Sequence, residues 1–580
     1  MFPRYTSFKV DIKNLKFKSE SGIVYPKTAI ILFDVPGKNQ PVMELLGYIE
    51  DESVYRWIDE AAPIILDYCY IPRFSLSDYR ASRGLSPKEK INLKGFSARH
   101  SFFDSQVVVD FSDSMIKDGS FSLAHTWFNR GSISFNSSRF ENTLLDFSYL
   151  RFSDDSFDFQ NVTVVHADVI FKNAIFGRGV KDFQYSRFGG RELNFINTEF
   201  NDGPVNFINV HFESENTSFK VARFGDGKVD FHYAKFKTRN LSFERTEFGN
   251  GRVDFRTVEF GTGKVNFNRA SFGDGDVSFE SSEKEAGKFS FKRVRFGRGT
   301  LSFEMAVYDK IDVSFERTEF GPGTISFYRA GFNALSFRFC HLDEYTDLRV
   351  AHCRQIDLSN TVVRDIIDLQ PYEFELDVEQ TVFAGMRLVG KIYLDWKQNH
   401  VQSMIAGQEY SGNRLKAEQF RLLKENFKNL GQYSDEDKSY VAFKRHELKA
   451  ELEDSVKRRK INALWHYPFY LFKLILFDRA GLYATSPLRV LLTMLIAFVF
   501  FSLFYMVLMV YTPADIVPTV DDLLSPAAKA FYHSAITFLT IGYGDHYPYG
   551  SIRWVSAFEG FAGLFLMAYF TVAFVRKILR

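Results

Sequence analysis

The sequence predicts a multi-domain membrane protein. A long N-terminal β-solenoid is followed by a helical linker and a short C-terminal domain with two membrane spans. Three observations carry this. Phenylalanine recurs every 12 residues from Phe135 to Phe327 without a gap. Two apolar segments, 490–511 and 554–575, stand near the end of the chain, each close to the ~20 residues a helix needs to cross a bilayer. Between them lies the stretch Thr540–Asp545, T-I-G-Y-G-D.

Composition narrows the class. A chain of 580 residues holds several domains. Its net charge of +1 implies no bulk attraction to nucleic acid or to anionic lipid. Cys69, Cys340 and Cys353 are far apart and fit neither a disulfide framework nor a zinc site, as expected of a reducing compartment. The N-terminus lacks the apolar core of a signal peptide. The anomaly is 65 phenylalanines, and the repeat explains it.

Residues 1–90 are expected to form a small α+β cap. Ala29–Phe33 reads as strand, and Asp51–Ile65 as helix with Asp51 as its cap. Residues 91–396 form the repeat. A second ring register follows the first by five residues, from Phe140 to Phe332, interrupted at Val164, Lys284 and Tyr308. The clearest unit, Val253–Lys264, alternates Val-x-Phe at strand period and ends in Gly-x-Gly turn punctuation. A strict short period means a solenoid. Five-residue steps between rings resemble pentapeptide-repeat proteins, which implies a right-handed quadrilateral β-helix. Twelve residues hardly enclose phenyl rings, so the coil should hold about 24, two repeats facing each other. Residues 93–340 then give about ten coils and a rod of roughly 50 Å. The rings read as core rather than as a ligand-stacking surface. Mixed charges at the turns argue against DNA mimicry, and Ser281–Lys288 reads as a bulging loop. Beyond Phe339 the rings yield to Leu, Val and Ile, which predicts a narrower end.

Residues 397–462 are expected to be a helical linker. Lys397–Gly412 connects, one helix runs near Arg414–Leu430 and stops at Gly431, and Ser434 caps a second. That second helix ends in the basic run Lys457–Lys460. This pair resembles an arrangement in bacterial pentapeptide-repeat channels. Residues 463–486 read as an interfacial segment at the membrane surface. Bases flank the spans on one side and acids fill the loop between them, which predicts cytoplasmic N- and C-termini in the cell (inner) membrane.

Residues 487–580 complete the chain. Ser525-Pro526 starts a short helix over 526–539, and the filter-like stretch 540–545 follows. Backbone carbonyls facing one axis can replace the water shell of a cation. Gly542 and Gly544 tolerate the backbone such a row demands. The order span, loop, motif, span resembles the pore unit of two-transmembrane potassium channels over roughly the last 95 residues. The resemblance implies potassium contacts from the carbonyls of Thr540, Ile541, Gly542 and Tyr543 and from the Thr540 hydroxyl, with Gly544 completing the strand and potassium as permeant ion rather than cofactor. It also implies filter support from Asp545, Tyr532 and His533, with Tyr532 the partner of Asp545. A helix dipole would favour a cation in the central cavity. Relatives that carry a carboxylate at the place of Ile536 imply a gating role this chain cannot copy. One chain supplies one filter strand, so a homotetramer is implied. No arginine-rich voltage-sensing helix precedes the first span. Gly560 and Gly563 are candidates for a gate hinge, with close packing the alternative. Glu559, costly in lipid, should face protein or water, and a bond to the pore helix fits best.

The function that follows is a tetrameric potassium-selective channel with a large cytosolic domain for regulation or scaffolding, in contact with the lipid bilayer and with an unidentified cytosolic partner or ligand of the β-helix, and with no role for nucleic acid. The competing class is a membrane-tethered interaction scaffold with a vestigial or non-selective pore. An enzyme has little support: no Ser/His/Asp set, no phosphate loop and no metal cluster is legible.

Overall fold

The computed structural model describes residues 3–458, 463–520 and 523–579. Arg459, Lys460, Asp521, Asp522 and Arg580, all counted in the charge asymmetry above, lie outside them. The chain forms two compact units, residues 1–404 and 405–580.

The first unit opens on a three-stranded antiparallel sheet, with Lys27–Asp34 between Ser7–Lys13 and Val42–Tyr48. Alternation along Lys27–Asp34 turns Ala29, Ile31 and Phe33 inward, where they pack with Leu46, Tyr70 and Phe102. Helix α1 (Asp51–Asp59) starts with Asp51 as its first helical residue and Glu50 at the cap. It ends earlier than predicted, because Ile64–Ile65 already pairs in a solenoid sheet. Helix α2 (Leu76–Ser82) is capped by Ser75. The solenoid therefore begins before residue 91, the boundary expected from the phenylalanine register.

The solenoid pairs each residue with the one 24 later: Val229 with Val253, Val253 with Val277, Val265 with Phe289. A coil has four sides. They are exemplified by Val253–Asp254, Glu259–Phe260, Lys264–Asn266 and Ser271–Phe272, each in register with its neighbours above and below. One side is a sheet of 13 strands running from Val109–Asp110 to Lys391–Tyr393, so the solenoid makes about 13 turns. Two later coils tighten, Ile325 pairing with Thr346 and Thr346 with Ile367, a 21-residue step, before the last widens to 25 as Ile367 pairs with Ile392.

The rings fill the interior. Phe255 stacks on Phe231 and Phe279 with centroids 4.8 Å away, and meets Phe243 and Phe267 edge-on at 5.8 and 5.6 Å. Offset stacks along the axis and T-contacts across it are the two favoured aromatic geometries. The Gly-x-Gly corner is set by coil-to-coil approach. A Cβ on Gly273 or Gly275 would lie 2.5 or 2.3 Å from the carbonyl oxygen of the glycine one coil below. Two residues after the rings of the first register the backbone turns left-handed, at Thr257, Arg269, Ser281 and Arg293 among others (φ 53–60°). This holds even for β-branched Val221 at 58°, an unfavourable conformation that coil closure imposes.

Lys284 corrects the predicted bulging loop. It stays in register with Phe260 and Tyr308. Its buried ammonium donates to the carbonyls of Gly263 (2.6 Å) and Gly261 (3.3 Å). Burial pushes its pKa down to about 8. The three cysteines are buried and free, and burial pushes each thiol up to about 12.

Lys397–Gly412 is not a plain connector. It contains α3 (Val401–Ala406), whose Val401 and Ile405 are fully buried. In the second unit, α4 (Asn413–Asn429) ends at Gly431, which takes φ 72° as a helix stop requires. Helix α5 (Tyr433–Arg458) begins one residue before Ser434, so Ser434 lies inside its first turn. Helix α6 (Ala463–Lys473) continues into a π-helical turn, Leu474–Arg479. Then come α7 (Pro487–Tyr511), α8 (Pro526–Phe538) and α9 (Ile552–Ile578).

Candidate pore and its supports

Helices α7 and α9, of 25 and 27 residues, are both long and apolar enough to cross a membrane. Between them α8 starts where Ser525 and Pro526 dictate. Ser525 Oγ accepts the Ala528 N–H at 3.3 Å, and Pro526 needs no donor partner in the first turn. The helix closes at Phe538, and the filter-like stretch leaves directly from its end.

That stretch hangs from the last turn of α8. The Ile536 carbonyl accepts the N–H of Ile541 at 2.9 Å and of Gly542 at 3.3 Å. Positive φ falls on every second residue, Thr540 (55°), Gly542 (62°) and Gly544 (75°). Ile541 and Tyr543 between them do not take positive φ, so the sign of φ alternates along 540–544. Both glycines have open space where a Cβ would sit, so backbone conformation alone demands them. Thr540, a β-branched residue at positive φ, is strained. Its hydroxyl donates to the Leu539 carbonyl at 2.7 Å. The Ile541 and Tyr543 side chains are exposed on the single chain, at 47% and 70%.

Tyr532 donates to Asp545 at 2.7 Å, joining α8 to the end of the T-I-G-Y-G-D stretch, and this bond holds the Asp545 carboxyl below the usual carboxylate range. His546, beside Asp545, begins the strand His546–Tyr549, which pairs antiparallel with Asp515–Pro518 across the mouth. His533 faces away from the filter: its Nε2 meets Ser556 of α9 at 2.9 Å, and its ring stands edge-on to Tyr505 at 5.4 Å.

Helix α9 runs unbroken through both candidate hinge glycines. Gly563 is a packing glycine: a Cβ there would fall 2.1 Å from the Phe538 carbonyl oxygen. At Gly560 a Cβ would meet Thr537 at an ordinary 3.9 Å. Glu559 is fully buried and accepts hydrogen bonds from Ser534 of α8 and Tyr505 of α7, each at 2.5 Å.

The linker holds the far end of this domain in two places. Arg445 of α5 grips Asp478 of the π-helical turn with a two-pronged contact at 2.9–3.1 Å. Asp437 of α5 accepts from Arg576 (3.1 Å) and Lys577 (2.8 Å) at the end of α9. Before α7 the chain turns through three consecutive left-handed residues, Leu482, Tyr483 and Ala484. Tyr569 of α9 anchors that turn, accepting the Ala484 N–H at 2.8 Å and donating to the Phe477 carbonyl at 2.9 Å. The sequence predicts a helical linker before the spans. Sequence reasoning missed these direct contacts with α9, whose partners lie up to 140 residues apart.

Residues 490–580 match the family model described as "Ion channel". The match takes in 91 of the 580 residues, so the C-terminal part of the chain, with its two helices long and apolar enough to cross a membrane, is similar to an ion-channel domain. No curated protein and no solved structure matches the chain.

Proposed function

We propose that the protein is a homotetrameric, potassium-selective channel whose filter is the backbone of Thr540–Gly544. The observation that carries this is the alternation of positive φ at 540, 542 and 544 in a segment hung from the end of a capped helix between two membrane-capable helices. Four such strands around an axis would offer rings of carbonyl oxygens to a dehydrated cation. Irregular backbone at membrane depth is tolerated only against protein or water. Ile541 and Tyr543, 47% and 70% exposed on one chain, are apolar or aromatic side chains that neighbouring copies would cover.

Helix α6 carries exposed Leu464, Trp465, Phe469 and Phe472, with Lys473 at its end. This composition fits a helix lying in the cytoplasmic membrane interface. The solenoid then stands in the cytoplasm, as a sensor or a scaffold.

The test is reversal potential in proteoliposomes holding the full chain, with potassium against sodium. Wild type is expected to follow the potassium gradient. Gly542→Ala, which forces a Cβ onto φ 62°, is expected to form tetramers without potassium current. Selective current through that variant overturns the filter assignment. Tetramers of wild type without current support the scaffold instead.

A further inference from the structure

We infer that Glu559 is a positioning residue for the filter, binding the inner helix to the pore helix so that filter geometry depends on where α9 stands. This rests on the channel reading above and adds to it a residue on the inner span that sets selectivity without touching the ion.

A carboxylate in an apolar span is costly and persists only where its oxygens are used. Here both are. Tyr505 of α7 donates to Oε2 and Ser534 of α8 donates to Oε1, so three helices meet at one side chain. The same Ser534 hydroxyl lies 3.3 Å from the Phe498 carbonyl of α7. The neighbouring His533 binds Ser556, one residue short of a turn before Glu559 on α9. Adjacent side chains of α8 are thus tied to adjacent turns of α9, which fixes both the rotation and the height of the pore helix. Two residues beyond Ser534, the Ile536 carbonyl carries the N–H groups of Ile541 and Gly542. Glu559 therefore holds, through Ser534, the same last stretch of α8 whose Ile536 carbonyl carries the N–H groups of Ile541 and Gly542.

Ile536 places no carboxylate behind the filter from the pore helix itself. Glu559 instead brings a carboxylate from α9 to Ser534, on another face of α8. A carboxylate on the moving span differs in consequence from one on the pore helix. Any displacement of α9 that gates the pore also pulls on Ser534, so the inner gate and the filter respond together.

The experiment is single-channel recording of the full-length protein in lipid bilayers, with the potassium-to-sodium permeability ratio and the open-burst length as readouts. Glu559→Ala is expected to assemble as wild type does, and to lose about tenfold or more in one readout, since small misplacements of a coordinating frame are costly. Ser534→Ala and Tyr505→Phe should each move the same readout in the same direction. Glu559→Ala with Ser534→Ala should be no worse than Glu559→Ala alone, because both cut one connection. Glu559→Gln, which keeps the volume and one acceptor, should restore part of the loss. A merely structural role would lower yield or thermal stability and leave both readouts at wild-type values, and that result overturns the inference. Additive effects overturn it too. If Glu559→Ala fails to assemble, the Ser534→Ala, Tyr505→Phe double variant, which retains the carboxylate, decides by the same criteria. A wild type that carries no potassium sinks the channel reading itself. A selective wild type beside unaltered variants sinks this inference alone.

Discussion

Asp437 and Arg576 are 139 residues apart in sequence and 3.1 Å apart in space. Lys577 reaches the same carboxylate at 2.8 Å, and Tyr440, one turn along α5, lies 4.5 Å beneath the Arg576 guanidinium. The end of α9 is thereby fastened to α5. A lever that moves α5 moves α9 without acting through α7.

Breaking this clasp should be measurable in two ways. The Asp437 side chain is only 10% exposed and that of Arg576 23%, so the pair is screened less than a surface ion pair. Asp437→Asn and Arg576→Gln are each expected to lower the thermal midpoint of the full-length protein and to change open probability. The double variant should fall short of the sum by about 1–2 kcal/mol, the coupling of residues in contact. Additivity within error would show that the contact transmits nothing.

The two glycines of α9 separate packing from bending. Gly563→Ala drives a Cβ into the Phe538 carbonyl at 2.1 Å, where backbone cannot yield cheaply. Loss of tetramers or of current is the expected outcome, at a cost of roughly 1–3 kcal/mol typical of overpacking. Gly560→Ala meets only Thr537 at 3.9 Å and should be tolerated, even gaining stability in a helix interior. Equal effects at both positions would point to helix bending instead. Size-exclusion profiles and currents of the two variants, side by side, check this.

How much was legible beforehand follows from what is local. The Phe255 register encodes coil size because ring spacing is a sequence property, and the pairing of Val253 with Val277 follows from it. Ser525-Pro526 and Gly431 mark helix ends by their own chemistry. The cost of a carboxylate in an apolar span already places Glu559 against protein. Three features were hidden. The left-handed residue after each ring of the first register, Arg269 or Val221 alike, is imposed by closure of the coil and leaves no residue preference to read. Lys284 looked like a break because a lysine in a phenylalanine column has a place only if carbonyls converge on its ammonium, and Gly261 and Gly263 supply them from the coil below. The Tyr505–Glu559 bond joins two spans whose mutual rotation no single helix specifies.

The ring stack should be stiff toward truncation. Phe255 is fully buried and touches rings above, below and across. Phe255→Ala is expected to cost about 3–5 kcal/mol, the usual penalty for removing a buried ring. Phe255→Leu should recover a good part of it. Circular dichroism melts of the full chain read the difference. A penalty under about 1 kcal/mol would mean that the neighbouring coils collapse onto the space left.

Lys181 offers the opposite case, a position where substitution should stabilise. It occupies the column of Phe157 and Val205 and is 1% exposed. Its ammonium finds no hydrogen-bond acceptor among the described residues. Burial pushes its pKa down from 10.5 to about 8, and Asp154 and Asp202 only partly oppose this. Below about pH 8 the amine is charged in both folded and unfolded chains, and the folded state bears the whole cost of burying the charge. Between about 8 and 10.5 the unfolded chain binds a proton that the folded one lacks, so stability rises with pH across that window. The full penalty is about 3 kcal/mol, from 1.36 kcal/mol per unit. Lys181→Val, which continues the apolar column, should therefore raise the thermal midpoint by a few degrees at pH 7 and flatten its rise between pH 8 and 10.5. A wild-type midpoint that falls across this window while the variant's does not would reverse the assignment, since it would require the buried amine to hold its proton more tightly in the folded coil than in water.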